Sequence, residues 1–145
     1  MTKASQNYFS LIVLACGISL SCADPSLAAM VDLKADLKAS NEVPPNESKG
    51  TGSVTATFDS DSNKLSWKGT VSGLIGTVTA AHFHAAEAGR NGAVAVPIIG
   101  ADNGSFEGSA TLTDTQAEDL MAGRWYVNIH TTTYKAGEIR GQVTK

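Results

Sequence analysis

Two of the chain's three histidines stand one residue apart, as His82-Phe83-His84, and the third, His130, follows far downstream in Tyr126-Val127-Asn128-Ile129-His130-Thr131. A strand turns successive side chains to opposite faces. On a strand, His82 and His84 share one face and Phe83 takes the other. If the strand carrying His130 lies alongside, three imidazoles converge. Three neutral imidazoles make a competent site for Cu(II), Zn(II) or Ni(II). Copper is the first expectation, because divalent affinity for a given nitrogen site peaks at copper. Three protein nitrogens also leave a position open for water or another ligand. Zinc is the alternative, since three histidines plus water is a known zinc arrangement. In the competing reading the histidines are hydrogen-bonded strand residues of a structural or protein-interaction module that holds no metal.

Four polar residues stand where they could support such a centre. Tyr126 and Asn128 share the strand face of His130. Tyr126 is expected beside the site, and Asn128 could orient an imidazole or satisfy backbone. Glu138 and Arg140 share a face of the last strand and could form an ion pair or contact the ligands from behind. Glu87, in the loop after His84, is expected to be solvated charge. Trp67 and Trp125 are expected in the core.

Other chemistries find little here. There is no G-x-S-x-G elbow, no serine in a triad context and no Gly-rich phosphate loop ahead of a helix. The net charge of −3 leaves no basic footprint for nucleic acid or an anionic membrane. No catalytic residue and no enzyme class is assigned.

The elements that must position the histidines are short strands. Residues 31–39 alternate Val31, Leu33, Ala35, Leu37 and Ala39 against polar partners, the pattern of a half-buried strand. Residues 52–58 and 64–71 form a hairpin about Asp59-Ser60-Asp61-Ser62-Asn63. The histidine strand is 77–85 and the next is 93–99, where Pro97 marks an edge or a bulge. Residues 105–112 are a further strand. Residues 113–122 make the one helix, capped by Thr113 or Asp114 and ended by Gly123. Residues 124–131 carry Trp125, Val127 and Ile129 on one face and Tyr126, Asn128 and His130 on the other. Residues 138–144 close the chain. About eight strands with turns at short intervals predict an all-β, antiparallel sandwich or barrel with one short helix.

Residues 1–28 read as an export signal. Lys3 supplies the positive start, Phe9 to Leu20 is an apolar run too short to span a bilayer, and Ser26-Leu27-Ala28 is a peptidase site. The expected mature domain is 29–145, periplasmic or secreted. Both cysteines, Cys16 and Cys22, precede that cut. The mature part is therefore expected to have no disulfide, and without a cysteine a blue-copper site is not expected. Val13-Leu14-Ala15-Cys16 partly matches a bacterial lipobox, with Leu14 where a smaller residue is usual. Lipidation at Cys16 would tether the domain to a membrane surface without changing its fold.

Four segments in order resemble the CHRD domain, named after chordin and common in exported bacterial proteins. They are LKASNEVPP at 37–45, the stretch from Ala81-His82-Phe83-His84 to Gly89-Arg90-Asn91-Gly92, Tyr126 to Thr131, and Gly137-Glu138-Ile139-Arg140-Gly141-Gln142. Ala39 and Ala85 stand where the family usually has glycine. The resemblance implies a Greek-key-like β-sandwich and little about activity, in a family that includes modules of developmental signalling antagonists. All three histidines fall inside its motifs, which strengthens the metal reading. A weaker likeness is to copper/zinc superoxide dismutase, which also uses a His-x-His strand and a distant histidine. His82, His84 and His130 would match its copper positions, but its zinc histidines, bridging histidine and disulfide are missing. A dismutase-like redox enzyme is therefore the weakest of the readings.

Overall fold

The computed structural model describes residues 29–145. The proposed export segment and both cysteines lie outside the described residues. The strands are β1 (Met30–Lys38), β2 (Thr51–Asp59), β3 (Lys64–Ser72), β4 (Val78–Ala85), β5 (Ala93–Pro97), β6 (Ser105–Thr111), β7 (Trp125–Thr131) and β8 (Ile139–Gln142), with α1 (Asp114–Met121) between β6 and β7. Alternation forms them as expected. In β1 Leu33, Ala35 and Leu37 are buried while Asp32, Lys34, Asp36 and Lys38 are exposed. Val54, Ala56 and Phe58 of β2 and Leu65, Trp67 and Val71 of β3 join the same core.

The strands make one antiparallel sheet in the order β5-β4-β7-β8-β1-β2-β3-β6, rolled into a nearly closed barrel. Local hairpins supply β1–β2, β2–β3, β4–β5 and β7–β8. The β4–β7 and β1–β8 pairs join strands distant in sequence and create the Greek-key-like path. Pro97 fits where it is found. β5 is a terminal strand, and since Ile98 N–H bonds Ala81 O of β4, position 97 faces outward and its missing N–H costs no ladder bond.

The short turn Ala101–Asn103 touches both β4 and β6 near the seam between the terminal strands. Helix α1 begins in a capping box, in which Thr113 Oγ1 accepts from Gln116 N–H and the Gln116 side chain accepts from Thr113 N–H. Ala117 and Leu120 point into the core, and Gln116 Nε2 donates to Ala95 O of β5 at 3.3 Å. Among the described residues no helix is long and apolar enough to cross a membrane.

Strand β7 departs from simple half-burial. Trp125, Val127 and Ile129 are fully buried on the core side, and Tyr126 and Asn128 on the opposite side are also buried. The loop after β1, the loop between β4 and β5, and the turn before β8 all bond to side chains on that outer face, at Asn128, Tyr126 and His130. The metal candidates lie under this cover.

Candidate metal centre

Period-two geometry puts Ala81 and Phe83 of β4 in the core and sends His82 and His84 outward. Phe83 packs edge-on to Trp67, with centroids 5.1 Å apart, and so fixes the strand's facing. Antiparallel pairing sets His84 opposite Tyr126, His82 opposite Asn128 and Ala80 opposite His130. His130 is thus the diagonal neighbour of His82, and Ala80 leaves its ring room to lean across. The ring centroids are 5.4 Å apart for His82–His84, 5.3 Å for His82–His130 and 6.2 Å for His84–His130. One ring nitrogen from each residue lies within 4.8 Å of the others.

Carbonyls decide which nitrogens are free. His84 Nδ1 lies 3.0 Å from Gly92 O, and His130 Nδ1 lies 2.9 Å from Lys135 O. A carbonyl only accepts, so each Nδ1 carries the proton and donates, leaving Nε2 with a lone pair. Those two Nε2 atoms and His82 Nδ1 are buried without any partner. The other two such atoms among the described residues are the indole nitrogens of Trp67 and Trp125, in the core. A buried polar atom left unpaired costs about 1–3 kcal/mol. Three of them gathered in one place match a bound cation better than they match a satisfied structural cluster.

The protonation states agree. Burial pushes the His82 imidazole below its ordinary value, helped by the charges that His130 and His84 would carry. Burial likewise lowers His84, opposed by its bond to Gly92 O and aided by repulsion from His130 and Arg140. Metal ligation needs neutral imidazole, so both shifts favour the ligand form. The residues present therefore fit a metal ion, which would supply Lewis acidity or one-electron chemistry at an open position.

The surroundings of the rings are ordered by stacking and by β8. The His84 ring lies parallel to Tyr126, 4.8 Å away at 4°. The Arg140 guanidinium covers the other face of Tyr126 at 3.4 Å. Gly92 N–H donates to Tyr126 Oη at 3.2 Å, and Gly92 can sit there because a Cβ would collide with the Ala85 carbonyl.

Two expected contacts take other forms. Glu138 precedes β8 and bonds Thr131, on the Ile129 side of β7, whereas Arg140 lies over Tyr126, so the expected shared face and ion pair are not formed; the one ion pair among the described residues is Arg124–Asp119. Glu138 instead accepts from Ser48 Oγ, Ile75 N–H and Thr131 Oγ1, while Arg140 donates to Asn91 Oδ1 and Arg90 O. Asn128 binds neither an imidazole nor backbone; its Nδ2 donates to Glu42 Oε1 at 2.6 Å. Hydrogen-bond partners in distant loops captured all three side chains. Glu87 is exposed and outside the histidine cluster. A cleft of about 680 Å³ lies over β1, β2, β3 and β6 and has no histidine in its wall.

Glu42 is the main residue the sequence reading passed over. It is buried, and burial drives its carboxyl up to about 7 against the pull of Arg140 and Asn128. Nothing in the periodicity around it marks this role; its place in the NEVPP segment is the one signal it carries. Gly92 and Lys135 act through backbone carbonyls, which no side-chain pattern reveals.

An eight-stranded antiparallel barrel carrying an outward histidine trio defines the molecule as a β-barrel module with a candidate metal centre. The chain belongs to the CHRD domain family, whose model it matches over residues 33–143. No curated protein and no solved structure matches it.

Proposed function

We propose that this chain is an exported protein that binds a single copper ion through His82, His84 and His130 and handles copper outside the cytoplasm, in the periplasm or the secreted fraction. The observation that carries the reading is the convergence of three buried, unpartnered imidazole nitrogens. Nitrogen-only donors and an open position favour copper over other divalent ions, with zinc as the nearest competitor. The export half of the reading rests on residues 1–28, with their short apolar run and small-residue cleavage site.

The test is metal analysis of protein recovered from the periplasm, followed by Cu(II) and Zn(II) titration. One equivalent of copper is expected, with paramagnetic resonance showing nitrogen coupling. His82→Ala, His84→Ala and His130→Ala should each weaken binding sharply. Affinity should weaken as pH falls below the ordinary imidazole value of about 6.5, since protons then compete for the ligands. If the parent binds no copper, or the three variants bind it as the parent does, the reading fails and an interaction module takes its place. A preference for Zn(II) would replace the metal and keep the site.

A further inference from the structure

The two charged groups of the closing motif each reach a different loop, and each loop supplies one carbonyl to one histidine. Arg140 is 2% exposed and donates to Arg90 O at 2.6 Å and to Asn91 Oδ1 at 3.0 Å. Asn91 Nδ2 in turn donates to Val43 O, so the segment is held on both sides. The next residue is Gly92, whose carbonyl accepts from His84 Nδ1 and whose N–H holds Tyr126 Oη. Arg140 also presses on Tyr126, which stacks on His84. The same guanidinium therefore fixes His84 by two routes.

Glu138 does the corresponding work on the other side. It is fully buried. Its Oε2 accepts from Thr131 Oγ1 at 2.7 Å, and that hydroxyl accepts from Tyr134 N–H at 3.1 Å. Thr131 N–H and Gly137 N–H both donate to Tyr134 O, which closes the turn. The residue after Tyr134 is Lys135, whose carbonyl accepts from His130 Nδ1. Glu138 Oε1 meanwhile accepts from Ser48 Oγ and Ile75 N–H in two further loops.

We infer that Glu138 and Arg140 are paired positioning residues, each clamping the loop whose carbonyl sets the tautomer of one histidine, Glu138 for His130 and Arg140 for His84. The clamps hold both rings with Nδ1 protonated and Nε2 bare before any metal arrives. The inference rests on the metal reading for its purpose, but the tautomers themselves exist in the metal-free protein. His82 has no such clamp: its Nδ1 is among the unpartnered atoms, and among the described residues no carbonyl bonds either of its nitrogens.

The experiment follows the imidazole nitrogens of ¹⁵N-labelled, metal-free protein by long-range proton–nitrogen correlation. In the parent, His84 and His130 should each show one Nδ1–H tautomer. Arg140→Lys, which keeps the charge but loses the planar fork, should mix the tautomers of His84 and leave His130 unchanged. Glu138→Gln should mix those of His130 and leave His84 unchanged. Asn91→Ala and Ser48→Ala loosen the same two clamps from their outer ends and serve if the β8 variants fail to fold. Removing an outer partner of a ligand typically costs 10–100-fold in metal affinity, so Cu(II) binding should weaken by that factor in each, with altered resonance parameters. Unchanged tautomers in every variant overturn the inference, as does any variant that disturbs both histidines alike. If the parent binds no copper yet the tautomers respond as stated, the clamps stand and only the metal reading falls.

Discussion

Glu42→Gln should make the metal-free protein more stable at pH 8 while leaving its stability at pH 4 nearly unchanged. Glu42 is 6% exposed, and its carboxyl is raised from 4.5 to about 7, by burial first, with Arg140, Asn128 and the Val43 N–H pulling the other way. Below 4.5 the folded and unfolded chains both hold the proton, and the group's stabilising contribution is complete. Between 4.5 and about 7 the unfolded chain ionises while the folded one keeps its proton, so stability drains away as pH rises. The loss levels off above 7, on the order of 3 kcal/mol in all at 1.4 kcal/mol for each pKa unit. Glutamine keeps an oxygen for Asn128 Nδ2 and removes the ionisation. Urea unfolding of both proteins, from pH 4 to pH 8, reads the difference directly. His82 and His84 have lowered values and lose stability in the opposite sense, as pH falls below 6.5, but they do so in both proteins and cancel. A parent–variant difference that stays flat across the range would refute the argument, because it would mean that Glu42 titrates alike in the folded and unfolded chains.

Phe83→Leu should cost about 1–2 kcal/mol in the same unfolding assay, since the ring sits 5.1 Å from Trp67 and 5.8 Å from Trp125, yet copper stoichiometry should hold because the side chain faces away from the ligands. A loss of copper with stability intact would contradict that separation of faces. Gly92→Ala should cost about 1–3 kcal/mol by driving a methyl group into the Ala85 carbonyl, and should disturb the His84 ring more than the His130 ring. Parent-like stability in that variant would show that the loop has slack the structure does not suggest.

The sequence by itself determined what depends on near neighbours. Alternation in β1, β2 and β3 marked the core face, because exposure in a strand repeats every second residue. Thr113 and Gly123 bounded the helix through capping chemistry confined to one turn at each end. The shared face of His82 and His84 followed from the same two-residue repeat, and Pro97 announced a terminal strand through its missing N–H. Closure of the barrel decided the rest. It brought β7 against β4 in the register that sets Ala80 opposite His130, a pairing of residues 50 apart in the chain (130 − 80) that no local pattern encodes. It delivered the Gly92 and Lys135 carbonyls to the two histidines, and every residue carries such a carbonyl regardless of its side chain. It also separated Glu138 from Arg140 and joined Asn128 to Glu42, because a buried polar group bonds whichever distant loop reaches it with the right atom.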